Sequence, residues 1–316
     1  HQNRRKNFSK IVISSSTFTV PYGEKMTISQ NSPPTVSIIT PLFNAEPFIA
    51  ETIQSVQEQT FSAWEMLVVD DCSTDNGREI VEQIAANDSR IRLITRETNS
   101  GGPAAPRNIG LGLAQGRYIA FLDADDLWHS DKLEKQIGFM EANSNIFLSY
   151  TRIITRDQNS GLMKEGHSQQ PAESDDLFKQ LLLSGNMVPI LTVLIRNEDL
   201  SGFLFDERPE MISCEDFDFW LQLAYAKKQF ALLDLPLSIY RKHDGNISKG
   251  IVNSLKKNLF LVEKWRPKTT FALVLKLRFL LFWRRGVVLL VLAITPHGLL
   301  RAVQQKLGIR KMVASK

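Results

Sequence analysis

Trp64-Glu-Met-Leu-Val-Val-Asp-Asp71 is an apolar run that stops abruptly in two carboxylates. A run of this length reads as a buried strand with polar groups at its carboxyl end. Upstream, Val36-Ser-Ile-Ile-Thr40 is a second β-branched run, with Pro41 expected to stop it. Between the two, Glu46–Gln59 carries Phe48, Ile49, Ile53 and Val56 at helical spacing. Strand, helix and strand at these lengths fit a right-handed crossover. The pattern repeats downstream. Thr74–Ala86 reads as a helix, Ile91–Thr95 as a strand and Ala104–Ala114 as a helix. Tyr118–Leu122 then reads as a strand that runs straight into Asp123. Such alternation predicts an α/β fold with a mostly parallel central sheet flanked by helices.

Ligands bind beyond the carboxyl ends of strands in these sheets. Asn44 follows the first strand, Asp70 and Asp71 the second, and Asp123, Asp125 and Asp126 a later one. Strand ends far apart in sequence thus bring carboxylates to one edge. Further on, Ile146–Ile154, Ile190–Ile195 and Pro236–Tyr240 read as strands, and Ser130–Glu141, Asp176–Leu183 and Asp216–Lys227 as helices. Residues 155–174 read as a polar connection. The expected organisation is a loosely held extension over 1–34, an α/β domain over 35–250 with halves at 35–130 and 131–250, and a helical, basic and apolar extension over 251–316.

Charge separates the tail from the body. The net charge of +4 hides a segment at 251–316 with 14 Lys and Arg against Glu263 alone, while the remaining residues sum to −9. A basic apolar segment fits either an anionic membrane surface, with Trp283 at the interface, or a helical cap on the domain. The longest uncharged stretch, Gly286–Leu300, is shorter than the ~20 apolar residues that a span requires. The tail lacks a repeated aromatic stacking pattern, which argues against nucleic acid. Cys72 and Cys214 make neither a disulfide framework nor a metal spacing, and no apolar core follows His1–Lys10. A cytoplasmic setting, peripheral on the inner membrane face, is expected.

Three carboxylates in four residues, Asp123-Ala-Asp-Asp126, repel one another unless a cation neutralises them. Hard oxygen ligands suit Mg²⁺ or Mn²⁺, with positions left for substrate phosphates. Alone, the cluster fits a solvated acidic turn equally well. Gly101-Gly-Pro-Ala-Ala-Pro-Arg-Asn108 opens a helix with small residues and a planar cation, which suits phosphate. A surface arginine on a plain loop is the other reading. Glu215-Asp216 opens a helix, where acids also serve the macrodipole.

Taken in order, the pieces resemble a known family. They are Thr40-Pro-Leu-Phe-Asn44, Val69-Asp-Asp-Cys-Ser-Thr-Asp75, Gly101–Asn108, Ala120-Phe-Leu-Asp-Ala-Asp-Asp126, Cys214-Glu-Asp-Phe-Asp-Phe-Trp220 and Tyr240-Arg-Lys-His243. From about Val36 to Ser248 the chain resembles the inverting family-2 glycosyltransferases of GT-A fold, which implies a catalytic domain over 35–250, with 35–130 as its nucleotide-binding half and 131–250 as its acceptor half. The resemblance implies that Pro41, Phe43, Asn44, Glu46, Asp71, Arg107, Asp123, Ala124 and Asp125 bind the nucleotide sugar, with Asp71 on a uracil-type base. It implies a metal, Mn²⁺ or Mg²⁺, held by Asp125 with Asp126 or Asp123 and with His243. It makes Asp216 the general base, beside Glu215. Phe43 stands where Tyr is commoner, and Cys72 where Gly or Asn is. The processive members' Gln-x-x-Arg-Trp motif is absent, so one sugar per encounter is expected, passed from a UDP-sugar to a saccharide or lipid-linked hydroxyl in cell-surface polysaccharide or glycolipid synthesis. Two rivals stay open on the residues alone. A nucleotidyltransferase of the same fold type would release pyrophosphate, and a catalytically silent membrane-attached module would turn over nothing.

Overall fold

A computed structural model describes residues 12–13, 33–166, 176–246 and 260–270. Its strands are β1 (Val12–Ile13), β2 (Val36–Leu42), β3 (Trp64–Asp70), β4 (Ile91–Thr95) and β5 (Tyr118–Phe121), then β6 (Leu127–Trp128), β7 (Leu148–Asp157), β8 (Met163–Glu165), β9 (Leu194–Arg196) and β10 (Phe230–Lys242). The helices are α1 (Ile49–Gln57), α2 (Gly77–Ala85), α3 (Ala104–Leu113), α4 (Lys132–Ala142), α5 (Leu177–Ser184) and α6 (Glu215–Tyr225). One sheet runs in the order β1-β4-β3-β2-β5-β9-β7-β10-β6, with β8 paired on β7.

The sheet has two characters. β2, β3, β4 and β5 pair in parallel. Beyond them β9 is antiparallel to both β5 and β7, β7 and β10 are parallel, β6 is antiparallel to β10 and β8 is antiparallel to β7. The parallel strands are buried on both faces, so alternate residues feed two separate cores. Ile39, Leu67, Val69, Ile119 and Phe121 enter one, together with α6. Ile38, Met66, Val68, Tyr118 and Ala120 enter the other, with Ile49, Ile53 and Val56 of α1. Gly110 lets α3 sit close on β2, because a Cβ there would lie 2.4 Å from a methyl of Ile39.

Four sequence expectations change. The polar connection expected over 155–174 holds the end of β7 and the strand β8, which folds back antiparallel on β7. Pro41 does not stop β2, which continues to Leu42 with Pro41 in register with Val69. β5 pairs only as far as Ile39, so one side of β2 is open where the residue without an N–H falls. Ile190–Ile195 is not one strand. Pro189 leads into a 3-10 turn at Ile190–Thr192, closed by the Thr192 N–H on the Pro189 carbonyl at 3.0 Å, and β9 follows. The strand expected at Pro236–Tyr240 is the end of the longer β10, whose register shifts at Pro236.

Residues 260–265 are helical and pack on the domain. Leu261, Val262 and Trp265 join the core that contains α6. The fully buried carboxylate of Asp218 in α6 accepts from Trp265 Nε1 at 2.9 Å and from Lys264 Nζ at 2.7 Å. The basic apolar stretch from Phe271 onward, and the extension over 1–34 apart from β1, Pro33 and Pro34, lie outside the described residues.

Candidate active site

The carboxyl ends of β2, β3, β5 and β10 and the start of α6 surround one cavity of about 900 Å³. At one end, Pro41 near the end of β2 and the half-exposed Phe43 and Asn44 on the loop after it line the cavity. Asn44 and Cys72 both carry positive φ, 49° and 62°, a conformation non-glycine residues hold only when their surroundings fix it. Asn44 is fixed by its side-chain oxygen, which accepts the Thr74 N–H at 2.8 Å, and by its own N–H on Ser73 Oγ at 3.1 Å. Glu46 does not reach the cavity wall. Its carboxylate accepts from the Asn76 side chain and N–H, at 2.9 and 3.1 Å, which holds its pKa below the ordinary carboxylate value.

Asp71 does line the cavity, with its carboxylate already engaged. The Ser100 hydroxyl donates to it at 2.7 Å, and Arg96 forms a short ion pair with its other oxygen. The residue ahead of α2 is Asn76, so Asp71 does not cap that helix. Arg96 escaped the sequence reading, although it directly follows β4, the same position rule that singled out Asp71 after β3.

The turn after β5 is held from beneath by a fully buried cation. Arg241, in β10, donates through its N–H to Asp126 Oδ1 at 2.9 Å and through Nε to the Asp125 carbonyl. Its guanidinium also reaches Glu51, and Thr52 Oγ1 at 2.7 Å. Thr52 in turn donates to the Ala124 carbonyl at 2.8 Å. Asp126 is thereby buried beneath the turn, while Asp123 and Asp125 stay partly open. Burial, then repulsion from Asp125 and Asp123, pushes Asp126 well above its ordinary value. Burial and Asp123 likewise raise Asp125, against the pull of His243. His243 Nε2 stands 2.9 Å from Asp125 Oδ2 and its ring lies 4.3 Å from that of Phe48.

This donor set fits a hard divalent cation completed by substrate phosphates. Burial and mutual repulsion raise Asp125 and Asp126 despite Arg241 and His243, and one imidazole stands beside Asp125, which is partly open to the cavity. Among the described residues no group of three or more potential metal ligands is assembled.

At the other end, Glu215 and Asp216 open α6. Arg107, only 3% exposed, joins this end to the first: Nη2 meets Asp123 at 2.6 Å and Nη1 meets Glu215 at 2.8 Å. Burial opposes its charge, but the two carboxylates outweigh that and raise its pKa. The terminal nitrogens expected to fork onto phosphate are thus committed within the protein. Asp216 forms no ion pair among the described residues. Its Oδ1 accepts from the Phe217 N–H at 2.7 Å and its Oδ2 from Asn186 Nδ2 at 2.8 Å. Burial and the neighbouring Glu215 push it up to about 7, against Arg107 and these donors. A carboxylate titrating there suits a general base at neutral pH.

Fold and cavity fit a glycosyltransferase of GT-A architecture. The chain belongs to glycosyl transferase family 2, whose model matches residues 37–194. It is 37% identical over 236 residues to TuaG of Bacillus subtilis, named for teichuronic acid biosynthesis, covering 74% of this chain and 89% of that one. It is also 37% identical over 223 residues to WfgD of Escherichia coli, a UDP-Glc:α-D-GlcNAc-diphosphoundecaprenol β-1,3-glucosyltransferase, covering 70% of this chain and 83% of that one. Among solved structures it is similar to S. aureus TarS 1–349 in complex with UDP-GlcNAc, with a TM-score of 0.59 at 25% identity, over 72% of this chain and 66% of that one. The mannosyltransferase PcManGT of Pyrobaculum calidifontis shares the fold, with a TM-score of 0.56 at 17% identity, over 89% of this chain and 82% of that one.

Proposed function

We propose that the chain transfers one sugar from a UDP-sugar to a hydroxyl of a lipid-linked saccharide, with inversion, in the synthesis of a cell-surface polysaccharide or glycolipid. The observation that carries this reading is the shared cavity, with an up-shifted Asp216 at one end and the Asp123–Asp126 turn at the other. The acceptor class is supported by WfgD, whose name gives a UDP-sugar donor and a diphosphoundecaprenol-linked acceptor.

Asp216 takes the proton of the acceptor hydroxyl. The oxygen then attacks the anomeric carbon as the bond to the diphosphate breaks, and the electron pair leaves with UDP. One displacement inverts the anomeric centre. Pro41, Phe43 and Asn44 bind the nucleoside. Asp71 beside Arg96 offers an acceptor next to a donor, which complements the N–H and carbonyl edge of uracil. Asp123 and Ala124 border the diphosphate and sugar. Asp125 and His243 would hold Mn²⁺ or Mg²⁺, with Asp126 as a buried buttress. The bound ion supplies positive charge to the departing diphosphate. Arg107 is a strut that fixes the base helix against Asp123, and Glu215 is its anchor.

Among the described residues no helix is long and apolar enough to cross a membrane. The basic stretch beyond Thr270 is assigned to peripheral contact with an anionic inner membrane face. Flotation with anionic liposomes tests this: the full chain is expected to bind in a salt-sensitive way, and a chain ending at Thr270 is not. The enzymatic reading is tested by incubating the chain with a panel of nucleotide sugars, Mn²⁺ and a polyprenyl-diphosphate-linked acceptor. UDP release with a β-type product from an α-linked donor is expected, and chelation should abolish it. Release of pyrophosphate, or turnover of no nucleotide sugar, would overturn it.

A further inference from the structure

The loop that leaves α5 carries a residue that no sequence motif marks. Gly185 ends the helix with φ of 89°, and Asn186 follows on the surface. Asn186 Nδ2 donates to Asp216 Oδ2 at 2.8 Å, while its Oδ1 accepts the Val188 N–H at 3.2 Å. The Val188 carbonyl accepts from Nε1 of the buried Trp220 at 3.0 Å. The loop is therefore tied to α6 at two successive turns. The next residues, Pro189, Ile190 and Leu191, form part of the cavity wall.

We infer that Asn186 is a positioning residue for the base: it fixes the rotation of the Asp216 carboxylate so that a free lone pair faces an acceptor seated against the Pro189–Leu191 wall. This rests on the reading of Asp216 as the base. A carboxylate offers about four lone-pair directions, and free rotation spreads its basicity over all of them. Here the Phe217 N–H holds one oxygen and Asn186 the other, 30 residues away in sequence. Proton removal depends on such alignment.

The neutrality of the donor matters as well. The charges facing Asp216 are Glu215 from its own helix and Arg107 from α3. A Lys or Arg at position 186 would add a second cation and weaken the base, whereas an amide orients it and leaves it basic. The loop thus joins acceptor wall and base in one short segment, so movement of the wall on acceptor binding would reach the carboxylate directly.

Asn186→Ala tests this through the pH profile of transfer. Loss of a donor to the ionised form raises the carboxyl pKa, so the acid limb of kcat should move to higher pH. The maximal kcat should drop at least tenfold, with UDP affinity unchanged. Asn186→Asp, of nearly the same shape, should move the limb further by like-charge repulsion, and it carries the test if the Ala variant is unstable. Wild-type kcat with an unmoved limb would overturn the inference. So would a loss of kcat matched by an equal loss of UDP affinity. Asp216→Asn serves as the reference. If it keeps transfer, the base reading fails. If it is inactive while Asn186→Ala behaves as wild type, only the role of Asn186 fails.

Discussion

Asp123–Asp126 at the end of β5 and Glu215–Asp216 at the start of α6 are both short acidic runs on one cavity, yet they stand in different electrostatic situations. The first is crowded: Asp125 and Asp126 repel each other and Asp123, and the buried Arg241 is spent on the turn's backbone, Asp126 and Glu51. Its charge calls for a cation from outside. Arg107 is shared: it meets Asp123 of the first run but not Asp125 or Asp126, and it is the fixed internal cation for Glu215 of the second, where Asp216 accepts only from neutral donors. On the proposed mechanism, that difference separates a place for a metal and diphosphate from a place for a base. The same residue type serves both, and its partners decide which.

The harshest way to break this contrast is Asp216→Asn. If Asp216 alone acts as base, transfer should fall by ~10²–10⁴-fold. UDP binding, which belongs to the other end, should stay within about twofold. Near-wild-type transfer would show that the asymmetry has no catalytic meaning. Arg107→Met attacks the link between the ends. It strands Asp123 and Glu215 without their buried cation, and breaking such pairs costs about 3–5 kcal/mol. Denaturant titration should register a loss of that order. Adding Glu215→Gln should return part of it, because the double variant leaves one fewer uncompensated charge.

The pH dependence sharpens the contrast further. Transfer needs the ionised base, so below about 7 it should fall about tenfold per pH unit. Stability runs the other way. The folded carboxyl titrates near 7 and the unfolded one near 3.8, so the folded chain binds more protons between these values, and ionising Asp216 costs stability as pH rises through the window. Asp216→Asn should therefore melt at a higher temperature than wild type above pH 7. An equal or lower melting temperature would mean that Asp216 is not held against its ordinary ionisation.

The parallel half of the fold was legible in the sequence because buried strands and amphipathic helices obey two clear periods there. β4 falls at the expected Ile91–Thr95. The mixed half was less legible for physical reasons. β9 is three residues long, behind a 3-10 turn set by Pro189, and it pairs with strands distant in sequence. At the site, position after a strand found the carboxylates, since that rule needs only local sequence. What local sequence does not contain is each carboxylate's partner. Arg107 read as a phosphate fork because its spacing to Gly101-Gly102 is visible and its pairing with Glu215, 108 residues on, is not. Arg241 stood inside a quoted motif, but its work beneath the Asp125–Asp126 turn appears only once β10 lies beside β6.

The mildest test concerns the third acid of α6. Glu215 has Arg107, Asp218 has Lys264, and Asp216 between them has no ion pair among the described residues. If charge compensation singles out the base, removing the compensation at Asp218 should harm the fold and spare the chemistry. Lys264→Met leaves the Asp218 carboxylate with Trp265 Nε1 and Gln222 Nε2, at 2.9 Å each, so only part of its support is lost. A cost of about 1–3 kcal/mol follows from a charged group losing one of its hydrogen bonds. It should appear as a lower denaturant midpoint, with transfer by the folded enzyme within about twofold of wild type. A large loss of kcat at full stability would mean instead that the docked segment at 260–268 reaches the base through α6, and that the helix start is not electrostatically self-contained.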